Sequence, residues 1–486
     1  MAITREPIPP PASQARFGAL GLAILVALAA GAAGRAEAAD AGSGATADGS
    51  FWGTLWQRST LLGDLGGLRP WLGSYGMTLG LTETSEVLGN VSGGVKRGAA
   101  YDGLTTATLG LDTQKAFGWE GGTFNVSGLY IHGRSLSADN LLNLQTASGI
   151  EADRSLRLWE LWYQQAVLDG RLDVKLGQQS LDQEFMVSQY AGLFVNTMFG
   201  WPMLPSANLP SGGPAYPLSA PGIRLRAKPT DALTVLAGVF NDNPAGPGDG
   251  DPQQRNGSGT NFRISDAPLA IFESQYATPS AGDMDYGTGA AGLPGVYKLG
   301  FWYDAGRFDD QRFDAAGLSL ADPAGTGIPR RHQGDYSLYA VMDQLLWRPS
   351  AESSQGLGVF ARAMGTPEDD RNLIDFSLNA GLTLKAPLPG RDNDTLGIGG
   401  GYTRVSAAAG GLDRDTGFYT GTPVPVRGSE TYIEVTYQYQ VNPWWQIQPD
   451  FQYVFNPGGG IANPNSASGA LVDDEAVFGV RTNITF

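Results

Sequence analysis

From residue 77 onward, apolar and polar side chains alternate in short runs rather than recurring every three or four positions. In the last segment Phe478, Val480, Thr482, Ile484 and Phe486 alternate with Gly479, Arg481, Asn483 and Thr485. A period of two sends successive side chains to opposite faces of a strand. Upstream, Ile433, Val435, Tyr437, Tyr439 and Val441 alternate with Tyr432, Glu434, Thr436, Gln438 and Gln440, and Ile447, Phe451, Tyr453 and Phe455 alternate with Gln446, Gln448, Asp450 and Gln452. Asn442-Pro443 between these two runs reads as a hairpin turn. Sixteen such segments are expected, near 77-87, 103-113, 121-133, 154-166, 170-180, 220-229, 232-241, 268-276, 295-305, 334-347, 356-364, 373-385, 394-406, 429-441, 445-455 and 474-486. Alternation alone also fits a soluble sandwich with its apolar face inward. Long Gln, Glu and Arg side chains on the polar faces suit a wet lumen instead, and Trp444 and Trp445 stand where an interfacial aromatic girdle belongs. The pattern therefore predicts an all-β chain, a 16-stranded antiparallel transmembrane β-barrel. The even strand number falls in the size range that leaves an aqueous channel.

The connections sort by length. Those at 167-169, 230-231 and 442-444 are very short, whereas 134-153, 181-219, 242-267, 306-333, 407-428 and 456-473 are long and rich in Gly, Asp, Pro and Asn. With both termini periplasmic, the short class falls on the periplasmic side and the long class outside. The connection 277-294 breaks this rule, being long where a short turn is expected. Ahead of the strands, Arg5 and Arg16 precede an uncharged run from Phe17 to Ala33 and a small-x-small site, Ala36-Glu37-Ala38. Residues 1-38 read as a removed secretory signal peptide. Residues 39-76 form an N-terminal periplasmic extension in which Leu55, Leu61, Leu62, Leu65, Leu68 and Leu72, with Trp52, Trp56 and Trp71, predict short helices, serving as a packed extension or as a collar at the mouth. The barrel occupies 77-486.

Composition narrows the surroundings. Only 16% of the 486 residues are charged, with 69 Gly and 10% aromatics, and acidic residues outnumber basic ones by 48 to 32. A net charge of -16 argues against nucleic acid, whose phosphates need a basic stripe. The absence of Cys excludes disulfides and thiolate metal sites. After the signal, no uncharged apolar run approaches the ~20 residues of a membrane helix, which leaves a closed barrel as the way to satisfy every backbone group in lipid. His132 and His332 are the only histidines and no Gly-x-Ser-x-Gly elbow is present, so a barrel-borne hydrolase is not expected. No Walker-type glycine loop and no EF-hand spacing appear. No cofactor and no metal site are expected.

Strand parity assigns the lumen. Arg224, Arg226 and Lys228 alternate with Ile223, Leu225 and Ala227, and a lipid-facing cation near midplane would cost about 2-4 kcal/mol, so the three cations are expected inside. By the same rule Glu160, Asp173, Lys175, Lys298, Trp302, Asp304 and Arg362 face inward, Phe360 beside the last of them. The loop 181-219 is the expected constriction. It carries Asp182, Glu184, Phe185, Tyr190, Phe194, Phe199 and Trp201 within about twenty positions, more rings than a solvated loop needs, so it is expected to fold onto the lumen wall.

Several blocks resemble the carbohydrate-selective porins of the OprB family. They are Gly63-Asp64-Leu65-Gly66-Gly67-Leu68-Arg69, Leu158-Trp159-Glu160-Leu161-Trp162-Tyr163, Gly295-Val296-Tyr297-Lys298-Leu299-Gly300-Phe301-Trp302-Tyr303, Gly334-Asp335-Tyr336-Ser337-Leu338-Tyr339-Ala340 and Pro443-Trp444-Trp445-Gln446-Ile447-Gln448-Pro449-Asp450-Phe451-Gln452-Tyr453. The resemblance implies a sixteen-stranded, monomeric barrel passing glucose and related sugars by facilitated diffusion, with a constriction of arginine, glutamate and aromatic side chains. The inward residues suit sugars: Arg and carboxylate groups exchange hydrogen bonds with hydroxyls, and a ring such as Trp302 stacks on a pyranose face. The alternative from residues alone is a broad or anion-preferring general porin, motivated by Arg224, Arg226 and Lys228. The expected partners are sugars, outer-membrane lipid and lipopolysaccharide, and the barrel-assembly machinery through the C-terminal strand ending at Phe486. The expected location is the outer membrane of a Gram-negative bacterium.

Overall fold

The structure is a computed structural model, and it describes residues 55-278, 293-350 and 352-486. The signal peptide and residues 39-54 of the expected extension lie outside the described residues. Sixteen strands are formed: β1 (Met77–Gly94), β2 (Gly98–Asp112), β3 (Gly122–Gly133), β4 (Ser155–Val167), β5 (Leu172–Gln179), β6 (Ala220–Ala227), β7 (Leu233–Asn241) and β8 (Pro268–Ala277) make the first half. The second half is β9 (Gly295–Asp314), β10 (Pro329–Trp347), β11 (Gly356–Gly365), β12 (Ile374–Lys385), β13 (Thr395–Val405), β14 (Ser429–Asn442), β15 (Trp445–Phe455) and β16 (Asp473–Thr485). Each strand pairs antiparallel with its sequence neighbours, and β1 pairs β16 with Val87 opposite Val480, so the sheet closes. Closure leaves no edge and satisfies the backbone without water, the condition lipid imposes. Among the described residues no helix is long and apolar enough to cross a membrane.

The alternation has its physical consequence in the exposure of the outer face. Val87, Leu176, Ile223, Phe301, Ile433, Phe478 and Val480 point out and are exposed, while Glu86, Lys175, Arg224, Trp302 and Glu434, next in sequence to the first five, point in and are buried. Trp444 stacks on Trp445 at the β14–β15 turn, with ring centroids 6.0 Å apart.

The strands differ from expectation mainly in reach. β1, β2, β9 and β10 run beyond the apolar alternation: the run 295-305 extends to Asp314, and 334-347 begins at Pro329. Both added stretches are polar on both faces, as in Asp309, Asp310 and Gln311, so the period-two signal stops where the apolar band ends although the ladder continues. β5 and β6 are short, 8 residues each. The chain leaves the sheet at Ser180 and returns at Ala220, so the long loop departs from a low stretch of wall. Ala277 and Gly295, which bound the long connection, lie at the barrel end where β1 begins and β16 finishes; residues 279-292 between them lie outside the described residues. At the same end, residues 55-76 pack against the rim. Leu61 N donates to Thr485 O at 2.8 Å, Trp444 Nε1 donates to Leu55 O at 2.9 Å, Arg69 bonds the Phe486 carbonyl, and Leu68–Ser74 is a short helix beside β1.

Candidate functional site: a half-filled lumen

The main apolar core lies inside the barrel. Phe185, Met186, Phe194, Met198, Phe199, Trp201 and Leu204 of the Ser180-Ser219 loop pack with wall residues Leu236, Phe240, Ile271, Trp302, Tyr339, Phe360, Met364 and Tyr432. The aromatic loop therefore folds into the lumen, against the β7–β14 side. Phe194 and Phe199 stack at 4.4 Å, Phe360 meets both rings at 5.5 and 5.6 Å, and Tyr432 meets Phe199 edge-on at 5.5 Å. The loop 134-154 reaches the same wall: Leu144 N and Gln145 N each donate to Glu430 at 2.7 Å.

This filling separates the parity-assigned residues into two sets. On the covered side, Arg362 is buried, and its guanidinium donates to the carbonyls of Met186 (2.9 Å), Gly200 (2.8 Å) and Met198. Lys298 Nζ donates to Val187 O at 2.6 Å. Trp302 has 0% exposure. A ring sealed under the loop has no face to offer a solute, so the expected stacking role does not fall to Trp302. Asp304, also at 0%, stands opposite Asp335 and accepts from Gly306 N at 2.7 Å. All four point inward as parity requires; Arg362, Trp302 and Asp304 are buried, and Lys298 is of intermediate exposure.

Toward β5 and β6 the charges meet in a cluster in which Glu160, Asp173, Lys175 and Arg224 are buried and Glu184 and Arg226 reach the open lumen. Lys175 of β5 pairs with Glu184 of the loop, and its Nζ stands 4.3 Å over the Trp162 ring. Arg224 of β6 pairs with Asp173, donates to Gln164 Oε1 at 3.0 Å, and reaches Glu184 Oε1 at 3.2 Å. Arg226 pairs with Asp173 at 2.6 Å while its side chain stays 37% exposed. Glu160 accepts from Ser180 N at 3.1 Å, where the loop leaves the wall. Lys228 is a correction: it falls one residue past β6, exposed at the rim where β1 begins and β16 finishes, because the strand ends at Ala227. In the loop, Asp182 accepts from Ser180 Oγ (2.6 Å) and Tyr216 N (3.2 Å), and burial pushes its carboxyl above the ordinary carboxylate range. Phe185 and Phe194 are buried, and Tyr190 is half-buried against the wall, its N–H 3.3 Å from Asp343 Oδ1.

Leu136, Leu141 and Ala147 of the 134-154 loop, with Val195, cover Leu88 and Ala100 in the far halves of β1 and β2, so the wall left uncovered is the half of β1–β5 nearer the end where β16 finishes. Its inward positions include Thr78, Thr82, Thr108, Thr123, Asn125, Trp162 and Gln164, none of them buried. Such a wall presents hydroxyl and amide groups that both donate and accept. Trp162, opposite Asn125, is the indole that shares this open face with the charged lattice. Parity places it inward, but its covered counterpart Trp302 drew the stacking role in the sequence reading. Arg224 likewise belongs to a paired lattice, in which Asp173 holds two guanidiniums, rather than to a bare cationic wall.

A closed barrel with a folded-in loop and a hydroxyl-rich wall is a channel architecture, and the comparisons agree with it. The sequence profile described as "Carbohydrate-selective porin, OprB family" matches residues 96–486. The chain is 26% identical over 441 residues to Porin B of Pseudomonas aeruginosa, covering 86% of this chain and 91% of that one. Its fold is similar to the high-pH structure of Pseudomonas putida OprB, with a TM-score of 0.76 at 24% identity over 88% of this chain and 99% of the other, and to the low-pH structure of that protein with a TM-score of 0.54. Strand order, closure and a sequence match running to the last residue converge, and the chain belongs to the OprB family of carbohydrate-selective porins, channels of the Gram-negative outer membrane.

Proposed function

We propose that this porin passes glucose and related sugars by passive, facilitated diffusion, through the part of the lumen bounded by β1–β6 and the folded-in loop. The observation that carries the reading is the charge balance of the open face: Lys175, Arg224 and Arg226 are met by Asp173 and Glu184, with Glu160 beside them. A paired lattice presents hydrogen-bond donors and acceptors without a strong net field, which suits an uncharged polyol more than an anion. Trp162 supplies a ring for a pyranose face, and the threonine, Asn125 and Gln164 wall supplies further hydroxyl partners. Glu184 and Arg226 line the solute's route, held by the buried Glu160, Lys175 and Arg224 beside them; Lys298, Trp302, Asp304, Arg362, Phe185, Tyr190 and Phe194 act behind it; Lys228 stands at the exit. Binding must be firm enough to admit a sugar and weak enough to release it.

The end where β1 begins and β16 finishes faces the periplasm, the loops at the other end face lipopolysaccharide, residues 1-38 direct export, and the strand ending at Phe486 addresses the assembly machinery. A second reading, an anion-preferring pore, is favoured by the exposed guanidinium of Arg226. Planar-bilayer recording separates the two. Saturable block of ion current by glucose with weak charge preference supports the sugar reading; strong anion preference with no sugar block supports the other.

A further inference from the structure

The Ser180-Ser219 loop has only short turns of helix, so most of its backbone N–H and C=O groups lack partners within the loop. Folded inside a barrel and away from water, those groups need hydrogen bonds from elsewhere. The wall supplies them. Glu273 of β8 accepts from Met186 N at 2.7 Å, Asp343 of β10 accepts from Gln189 N at 3.1 Å and Ser188 Oγ at 2.6 Å, and Glu434 of β14 accepts from Val195 N at 2.6 Å and Asn196 N at 3.0 Å. Gln448 of β15 donates to Leu193 O at 2.7 Å.

Arg362 stands out in this set. It is 2% exposed, and no carboxylate pairs with it among the described residues. Burying a guanidinium without a counter-ion is costly unless its donors are used. Here its planar fork is spent on three carbonyls, Met186, Met198 and Gly200, with Asn379 Oδ1 at 3.3 Å as a fourth acceptor. One side chain thus ties both ends of the stretch 186-200 to a single point of β11.

The same wall is hollowed opposite the loop's rings. A Cβ at Gly358 would lie 2.5 Å from the Tyr190 ring, one at Gly397 2.7 Å from Leu193 and 2.9 Å from Phe194, and one at Gly399 3.0 Å from Phe194 and Phe199. None of these three glycines has a positive φ, so what they provide is room, not backbone freedom. Together they form a seat on β11 and β13 for apolar side chains that any β-carbon would displace.

We propose that Arg362 and this glycine seat set the aperture of the channel, fixing how far the loop stands from its wall while never touching the solute. Both are positioning groups, and the proposal deepens the diffusion reading above, resting on it only for the sugars used as rulers. It gives two perturbations of opposite sign. Arg362→Ala releases the loop, so conductance rises, the channel loses its discrimination between a monosaccharide and a trisaccharide in liposome swelling, and amides 186-200 lose hydrogen-exchange protection. Gly399→Val pushes Phe194 and Phe199 toward the lumen, so conductance falls.

The experiment measures conductance, swelling and exchange on the full-length mature protein, with heat-modifiable migration as the check that the barrel has closed. Unchanged conductance, size limit and exchange in Arg362→Ala overturn the proposal, as does a Gly399→Val channel that conducts like the parent. Where Arg362→Ala fails to assemble, Gly399→Val decides alone by the same criterion. Conductance and exchange report loop position with no sugar present. A parent channel indifferent to every sugar therefore sinks the diffusion reading and leaves this one to be judged on its own data.

Discussion

Removing Arg224 and Arg226 singly and together tests whether the open face is a coupled lattice. Arg224 is 2% exposed between Asp173 at 1% and Glu184 at 19%, whereas Arg226 is 37% exposed. Breaking a buried ion pair costs about 3-5 kcal/mol when the partner is stranded. In Arg224→Ala neither carboxylate is stranded, because Asp173 keeps Arg226 and Glu184 keeps Lys175, so the cost falls below that range, about 1.5-3 kcal/mol for the charged hydrogen bonds lost. Arg226→Ala removes a screened, partly exposed pair from an Asp173 that keeps Arg224, a loss of about 1 kcal/mol or less. The double variant strands Asp173, so its cost exceeds the sum of the singles by roughly 1-3 kcal/mol. Urea unfolding of the three variants in detergent micelles, read by heat-modifiable migration, gives these differences. Bilayer reversal potentials should move toward cation preference in each. Strict additivity would refute the claim that Asp173 is shared, and an Arg226→Ala loss as large as that of Arg224→Ala would refute the burial argument.

Two tryptophans should separate contact from support. Trp162→Ala weakens glucose block roughly 2-10-fold, the worth of one stacked ring at about 0.5-1.5 kcal/mol, with little change in barrel stability. Trp302→Ala costs about 3-5 kcal/mol of stability through the cavity it leaves, and comparable losses of block in both variants would contradict the division of the lumen into open and covered sides. Glu151, in the loop 134-154, accepts from Ser135 Oγ at 2.7 Å, and burial pushes its carboxyl from 4.5 to about 7. The folded loop therefore holds a proton that the unfolded loop releases near 4.5, so its stability declines as pH rises from about 4.5 to about 7 and levels off above. Limited proteolysis of that loop should quicken from pH 5 to pH 8, and Glu151→Gln should abolish the change.

The strands and their facing were legible because lipid outside and polar filling inside impose a strict period of two on nearly every wall segment. What parity could not carry was depth of cover. Arg362 and Arg224 occupy the same face by sequence and are equally buried, yet one is spent on loop carbonyls and the other on the carboxylates of Asp173 and Glu184, and the difference is made by a connection whose path no local pattern encodes. Gly397 and Gly399 read as a weak strand, since glycine lowers strand propensity; their meaning is the space they leave for Leu193, Phe194 and Phe199. The density of rings in 181-219 was the one sequence signal that anticipated the filling. Lys228 lies just past the strand because the alternation runs two residues beyond Ala227, the last residue of β6, although its N–H still donates to Arg171 O at 2.8 Å.

Single-channel recording of the purified protein in a planar bilayer, with glucose titrated on one side, bears on transport itself. The account predicts a conducting pore whose ion current falls with added glucose and saturates, while uptake into liposomes proceeds without any energy source. A steady current unaffected by glucose at every concentration, in channels that also fail to pass it into liposomes, would contradict it.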